Sequence, residues 1–408
     1  MRFAILFWAA AACAQPFHFE FGSAKGRIGA SAFEPGSAVE CAPNHCGSEK
    51  PFFFSTDVPE GDYDVTLDLA GGMRGARMTV RAESRRLLVE NLDVAPGSTQ
   101  TRAFTVNVRY PEIATGDMVK LKPRERGSFS WDHKLTLEFN GEHPAVRSID
   151  VVKANKPITV YLAGDSTVVD QDREPWAAWG QMLPRFFKQG VSIANHAESG
   201  ESLKSFIGER RLAKILTTIK EGDYLFVQFT HNDQKPGGSY VEPFTTYKDH
   251  LKLFIREARA RKATPVLVTS MHRRTFSEDG KITNSLGDYP EAMRQTAHEE
   301  GVPLIDLNAM SERFYEAMGP AGSIKAFVHY PVGTFPGQRG ELKDNTHFNA
   351  YGAYQLAKCV LEGIKTAKLD LARYLVDAGA FDPSKPDSVE AFRLPLSLLS
   401  TAVAPEGK

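Results

Sequence analysis

The chain has 408 residues, 42% of them hydrophobic and 24% charged, with 49 basic and 50 acidic side chains for a formal net charge of −1. That length is enough for two domains and a sizeable core, and the composition is that of a globular protein rather than a disordered or fibrous one. So even a charge balance excludes the electrostatic footprint expected for binding nucleic acid or an anionic membrane surface.

The N-terminus reads as a targeting segment. Met1-Arg2 precedes the apolar run Phe3 to Ala12, and Ala12-Cys13-Ala14 follows. One positive charge, a short apolar run and an Ala-x-Ala site predict a secretory signal over residues 1–14, cut before Gln15, and a secreted or periplasmic protein. The run is too short to span a bilayer, and no later run of about twenty apolar residues appears. Lipid attachment at Cys13 ranks second, because the usual leucine before the cysteine is missing. Cys41 and Cys46 bracket Ala-Pro-Asn-His and could close a small loop in an oxidising compartment. Cys359 falls on an apolar helix face and reads as a buried free thiol, and no Cys/His spacing resembles a zinc site.

Residues 15–153 read as all-β. Phe17 to Phe21, Tyr63 to Leu69, Arg77 to Ala82, Ala103 to Val108, Lys134 to Phe139 and Val146 to Val152 alternate apolar and polar side chains. Period-two runs separated by turns such as Pro59-Glu-Gly61 and Asn140-Gly141, with no convincing helix, predict a β-sandwich. Phe52 to Phe54 and Trp131 could stack on a sugar ring, although core filling is the commoner use of such side chains. The sequence leaves open whether this part is a glycan-binding module or a structural collar.

Lys153-Ala-Asn-Lys-Pro157 is the joint, and beyond it the period changes. Strands are predicted at Ile158 to Gly164, Val191 to Asn195, Asp223 to Phe229, Pro265 to Thr269 and Val302 to Leu307. They alternate with helices over Trp176 to Phe187, Leu203 to Ile219, Tyr247 to Arg261, Met293 to Glu300 and Ala350 to Lys365, the last with Asn349 as N-cap. Such alternation predicts an α/β fold over residues 157–380: a flavodoxin-like parallel sheet covered by helices, with its site at the C-terminal ends of the strands. Residues 381–408 are rich in Pro and Ser and read as an irregular tail.

The strand tips carry the chemistry. The first strand stops at Gly164-Asp165-Ser166, putting a serine at the top of the sheet, where a nucleophile would stand. Past the second strand, Gly200 lets a backbone N–H approach a ligand with no side chain in the way. The third strand ends in Thr230-His-Asn-Asp233, which brings the amide of Asn232 to the same rim. Asp344-Asn-Thr-His347 lies immediately before the last helix, where one turn would let the Asp344 carboxylate reach the imidazole. His196, His231 and His272 compete for the base, and Asp306 competes with Asp344. Each piece alone has an ordinary reading as a turn former or helix cap. Together they form the kit of serine acylation: a hydroxyl, a base, an acid to orient the base, and N–H donors for an oxyanion.

Gly164-Asp165-Ser166, Gly200, Asn232 and Asp344-x-x-His347 resemble the blocks of the SGNH or GDSL hydrolase superfamily. Ala163-Gly-Asp-Ser-Thr167, Ser199-Gly-Glu-Ser202 and Asp344-Asn-Thr-His-Phe-Asn349 look most like the rhamnogalacturonan acetylesterases within it. The resemblance covers nearly all of residues 157–367, and it makes residues 15–153 the galactose-binding-like sandwich that bacterial members often carry. It implies that Ser166 is the nucleophile, His347 the base and Asp344 the orienting acid. The N–H groups of Ser166 and Gly200 and the Asn232 side chain would form the oxyanion hole. It further implies a secreted esterase that deacetylates an acetylated polysaccharide or oligosaccharide, with no cofactor or metal. The alternatives are acetylated xylan, another glycan or a lipid ester as substrate, or a glycan-binding protein with a vestigial hydrolase domain. Glu201 departs from the family, where arginine is expected, and leaves open how an acidic glycan would be held. Lys204, Lys235, Arg273, Arg274, Arg339 and Lys343 are basic residues that could meet uronate carboxylates.

Overall fold

A computed structural model describes residues 16–29, 32–114, 116–376, 379–401, 404 and 405. The segment expected to be a secretory signal, residues 1–14, lies outside them. The N-terminal part is a β-sandwich of two antiparallel sheets, one of six strands and one of four. The alternation along Gly61–Ala70 explains the layering. Tyr63, Val65, Leu67 and Leu69 point inward, and the acidic and threonine residues between them are half exposed. Phe52, Phe54 and Phe139 fill the space between the sheets, so Phe52 and Phe54 are core residues rather than a sugar platform. Cys41 and Cys46 form a disulfide across a tight hairpin. Cys359 is a buried free thiol.

The second part is a parallel sheet of five strands. Ile158–Gly164 pairs on one side with Val191–Asn195 and on the other with Tyr224–Gln228. Thr264–Val268 and Leu304–Ile305 follow outward from the latter. In chain order this is 2-1-3-4-5, the flavodoxin-like arrangement, whose crevice opens where the connections change direction beside the first strand. Both sheet faces are dry. Val160 and Leu162 pack with Trp179, Phe186, Leu356 and Val360 on one face, and Tyr161 and Ala163 pack with Phe206, Ile215 and Phe254 on the other.

Several elements differ from expectation, each for a local reason. The helix expected over Trp176 to Phe187 shortens to Trp179–Met182 followed by a 3₁₀ turn, Leu183–Phe186, that contains Pro184. The helix expected over Leu203 to Ile219 is two, Leu203–Gly208 and Arg211–Thr218, broken where Arg210 takes a left-handed conformation at φ 67°. The strand expected over Val302 to Leu307 shrinks to Leu304–Ile305, because the Asp306 side chain accepts from the Ala309 amide and caps an unforeseen helix, Leu307–Gly322. A hairpin of Phe327–Tyr330 and Leu342–Phe348, also unforeseen, delivers the last block of site residues.

The two parts are joined by buried polar contacts. Arg86 of the sandwich pairs with Asp170 at 2.6 Å, and Arg85 donates to the carbonyls of Gln171 and Trp176. The irregular tail threads across both: the Asn140 amide donates to the Leu396 carbonyl, and the Ser397 amide donates to Glu174.

Candidate active site

The first strand ends in a turn that only a glycine admits at close quarters. A Cβ on Gly164 would lie 2.5 Å from Val168 Cγ2. Asp165 Oδ1 then accepts from the Thr167 amide at 2.9 Å and from its hydroxyl at 2.7 Å, an Asx turn that sets Ser166 at the sheet's edge. Burial pushes the Asp165 carboxyl above its ordinary pKa. Gln171 Nε2 donates to the Ser166 carbonyl at 3.0 Å, and Gln228 Nε2 donates to Thr167 Oγ1 at 2.8 Å. Trp179 Nε1 holds Gln228 in turn at 2.9 Å. These three supports were invisible to a reading of blocks, because a buried amide or indole between strands leaves no spacing signal.

Asp344 and His347 sit on the returning strand, not in a helical turn. Pairing with the facing strand advances from Phe327↔Phe348 to Val328↔Asp344, so Asn345, Thr346 and His347 bulge out of register. The bulge turns the imidazole back over the carboxylate. Asp344 Oδ1 accepts from the amides of Thr346 (2.9 Å) and His347 (3.0 Å), leaving Oδ2 for His347 Nδ1 at 2.8 Å. Burial alone would raise the Asp344 pKa. The hydrogen bond and charge of His347, with the two amides, outweigh it and hold the carboxyl well below the usual carboxylate range. The other ring nitrogen, His347 Nε2, lies 2.8 Å from Ser166 Oγ.

Among the described residues none of the competing side chains bonds Ser166 Oγ or His347. His196 packs against Trp131 and Tyr161, His272 faces Glu312 at 3.6 Å, and Asp306 is held by Arg294 at 2.9 Å. Neither ring nitrogen of His231 has a partner among the described residues, and burial, then the Arg273 charge, drives its pKa well down. Of the basic residues, Arg273 donates to the His231 and Ser285 carbonyls and Arg274 to Ser323 and Asn345, so both serve the loops that carry them.

Gly200 and Asn232 complete the rim. Gly200 has φ +83°, and the Glu201 amide donates to the Glu198 carbonyl at 3.2 Å across it. This is a type II turn, which needs positive φ at its third residue. Asn232 Nδ2 donates one hydrogen to the Glu201 carbonyl at 2.9 Å, tying the second and third loops together and leaving its other hydrogen unused there. Among the described residues neither the Ser166 amide nor the Gly200 amide has an internal acceptor. The site is more recessed than an open rim: Ser166 and His347 are each 1% exposed and Asn232 3%. Glu201, the departure from the expected arginine, is fully buried, 2.5 Å from Lys122 Nζ of the sandwich.

Residues 162–353 match the GDSL-like lipase/acylhydrolase family. Rhamnogalacturonan acetylesterase RhgT of Bacillus subtilis (strain 168) is 47% identical over 223 residues, 54% of this chain and 95% of that protein. The probable rhamnogalacturonan acetylesterase YesY of the same strain is 39% identical over 221 residues, 53% and 97% of the two chains. The uncharacterised esterase YxiM, also of that strain, is 25% identical over 369 residues, 86% of this chain and 90% of that one.

Proposed function

Because the chain belongs to the GDSL-like lipase/acylhydrolase family, we propose that it is a secreted serine esterase that removes acetyl groups from rhamnogalacturonan through an acetyl-enzyme. The observation that carries this reading is the unbroken line from Ser166 Oγ through His347 to Asp344, with 2.8 Å at each step. His347 Nε2 takes the serine proton as Oγ attacks the acetyl carbonyl, and Asp344 holds the ring and stabilises the imidazolium. The oxyanion is received by the amides of Ser166 and Gly200 and by the second N–H of Asn232. His347 then returns its proton to the departing sugar oxygen, and water, activated by the same imidazole, releases acetate.

Identity of 47% with RhgT over 223 residues and 39% with YesY over 221 supports the substrate, and the Cys41–Cys46 disulfide fits an oxidising compartment. The test is acetate release from acetylated rhamnogalacturonan, xylan and mannan by wild type and Ser166→Ala. Rhamnogalacturonan should be the fastest substrate. The variant should lose about 10⁶ in turnover, as serine hydrolases do without their nucleophile, with its far-UV spectrum unchanged. Normal turnover by Ser166→Ala would end the serine assignment, and faster release from xylan would move the substrate.

A further inference from the structure

Resting on the oxyanion reading above, we propose that Lys122 and Arg124, both supplied by the β-sandwich, are positioning residues for the Gly200 donor. They lock the peptide that carries it. In a type II turn the central peptide is rotated by about half a turn from its type I orientation, with φ near +80° rather than −90° at the third residue. Here that central peptide joins Ser199 to Gly200, so the side on which the Ser199 carbonyl lies decides the side on which the Gly200 N–H lies. Lys122 Nζ donates to the Ser199 carbonyl at 2.6 Å, and Arg124 Nη2 donates to the same oxygen at 2.6 Å. Two cations on one carbonyl oppose any flip, because a flip would leave both without that acceptor.

The flanks of the turn are held by the same pair. Lys122 Nζ lies 2.5 Å from Glu201 Oε1, and Arg124 reaches Glu198 Oε1 at 2.8 Å through Nε and 2.5 Å through Nη2. Glu198 Oε1 also accepts from the Ser199 amide at 2.7 Å. The two carboxylates beside Gly200 are buried, and each is bound by a cation from the other part of the molecule. The strap carrying those cations is anchored in turn. The Lys122 amide donates to Glu125 Oε2 at 2.8 Å, and Glu125 takes a two-pronged bond from Arg211 at 2.9 and 2.5 Å. Charge on the Ser199 oxygen also polarises the peptide, which makes its N–H a stronger donor to a developing oxyanion. Glu201, where the resemblance leads one to expect arginine, has its place in this lock: it is the counter-charge for Lys122.

The experiment compares wild type with the folded double variant Lys122→Met/Arg124→Gln, and with Arg124→Lys, on p-nitrophenyl acetate. Phenylboronic acid serves as a second probe, because its adduct with a serine is tetrahedral and anionic. Loosening one oxyanion donor should lower kcat by about 10–100-fold, with KM within about twofold, and weaken the boronate by a similar factor. Arg124→Lys, whose point charge can still reach the carbonyl, should recover most of that loss. Should the double variant not fold, Arg124→Gln alone carries the test, because that side chain is 31% exposed at the surface. Unchanged kcat in a folded variant, a loss confined to KM, or unaltered boronate affinity would each overturn the proposal. Activity surviving in Ser166→Ala would instead overturn the serine reading beneath it, so the two failures are distinguishable.

Discussion

Two buried polar clusters meet at Gly200, and they use their groups in opposite ways. On the sandwich side, Lys122 is bound to Glu201, Arg124 to Glu198 and Arg211 to Glu125, all within 2.5 Å. Burial would raise the Glu125 pKa, but the hydrogen bond and charge of Arg211 overcome it and hold the carboxylate below its ordinary range. On the hydrolase side, the amides of Ser166 and Gly200 have no acceptor among the described residues. Paired charges in a low-dielectric seam resist movement, because separating them strands a buried ion. Donors without an acceptor cost the folded protein stability, and the proposed oxyanion role uses them only when charge develops. The lesson is a division of labour, in which the seam pairs its charges while the two amides proposed for the oxyanion keep no acceptor among the described residues.

That contrast can be broken most severely by removing one side of it. Deleting residues 16–153 takes away Lys122, Arg124 and Glu125 together and leaves Arg211, Glu198 and Glu201 without those partners. The remaining chain should lose at least about 100-fold in p-nitrophenyl acetate turnover or fail to fold, read by kinetics and far-UV spectroscopy. A soluble truncation with wild-type kcat would mean that the sandwich does not shape the site. Next in size is Asn232→Ala, which removes one donor from the unsaturated side. It should cost about 10²–10³ in kcat while KM stays within about threefold, and a loss appearing only in KM would deny Asn232 an oxyanion role.

The smallest effect sharpens the rule by taking a carboxylate outside the seam. Glu83 in the sandwich is buried with the Thr136 amide on one oxygen, and burial pushes its pKa from 4.5 up to about 8, against the pull of Arg86. Between those values the folded protein keeps a proton that the unfolded chain releases, so this residue makes stability fall as pH rises through the window and level off above about 8. Glu83→Gln should therefore lose less Tm than wild type, by a few degrees, between pH 5 and pH 9, as measured by thermal melts. Parallel curves would show that Glu83 does not carry the pH dependence.

Much of this was legible because it is local. Alternation in Tyr63 to Leu69 is enough to place a strand and its inward face, since side chains on a strand point to opposite sides in turn. Gly164-Asp165-Ser166 announces a strand tip because a glycine at close quarters and an Asx turn are both properties of neighbouring residues. Where packing set the outcome, local reading erred. Leu203 to Ile219 has helical periodicity throughout, yet the helix breaks at Arg210, next to the Arg211 that Glu125 draws into the seam. For Phe52 and Phe54 the sequence favours core filling over a sugar platform, and the facing sheet covers them accordingly.

The sequence by itself determined many of the parts: the alternating strands of the sandwich, the main strands of the parallel sheet, the change of period after Lys153, and the residue types able to perform an acyl transfer. Only the tertiary structure decided their meeting. Ser166 and His347 are 181 positions apart, and Lys122 and Ser199 are 77 apart. Backbone geometry reaches a few residues along a chain. Bonds between segments this distant exist only once the parallel sheet, the returning hairpin and the seam have excluded water and brought those side chains together.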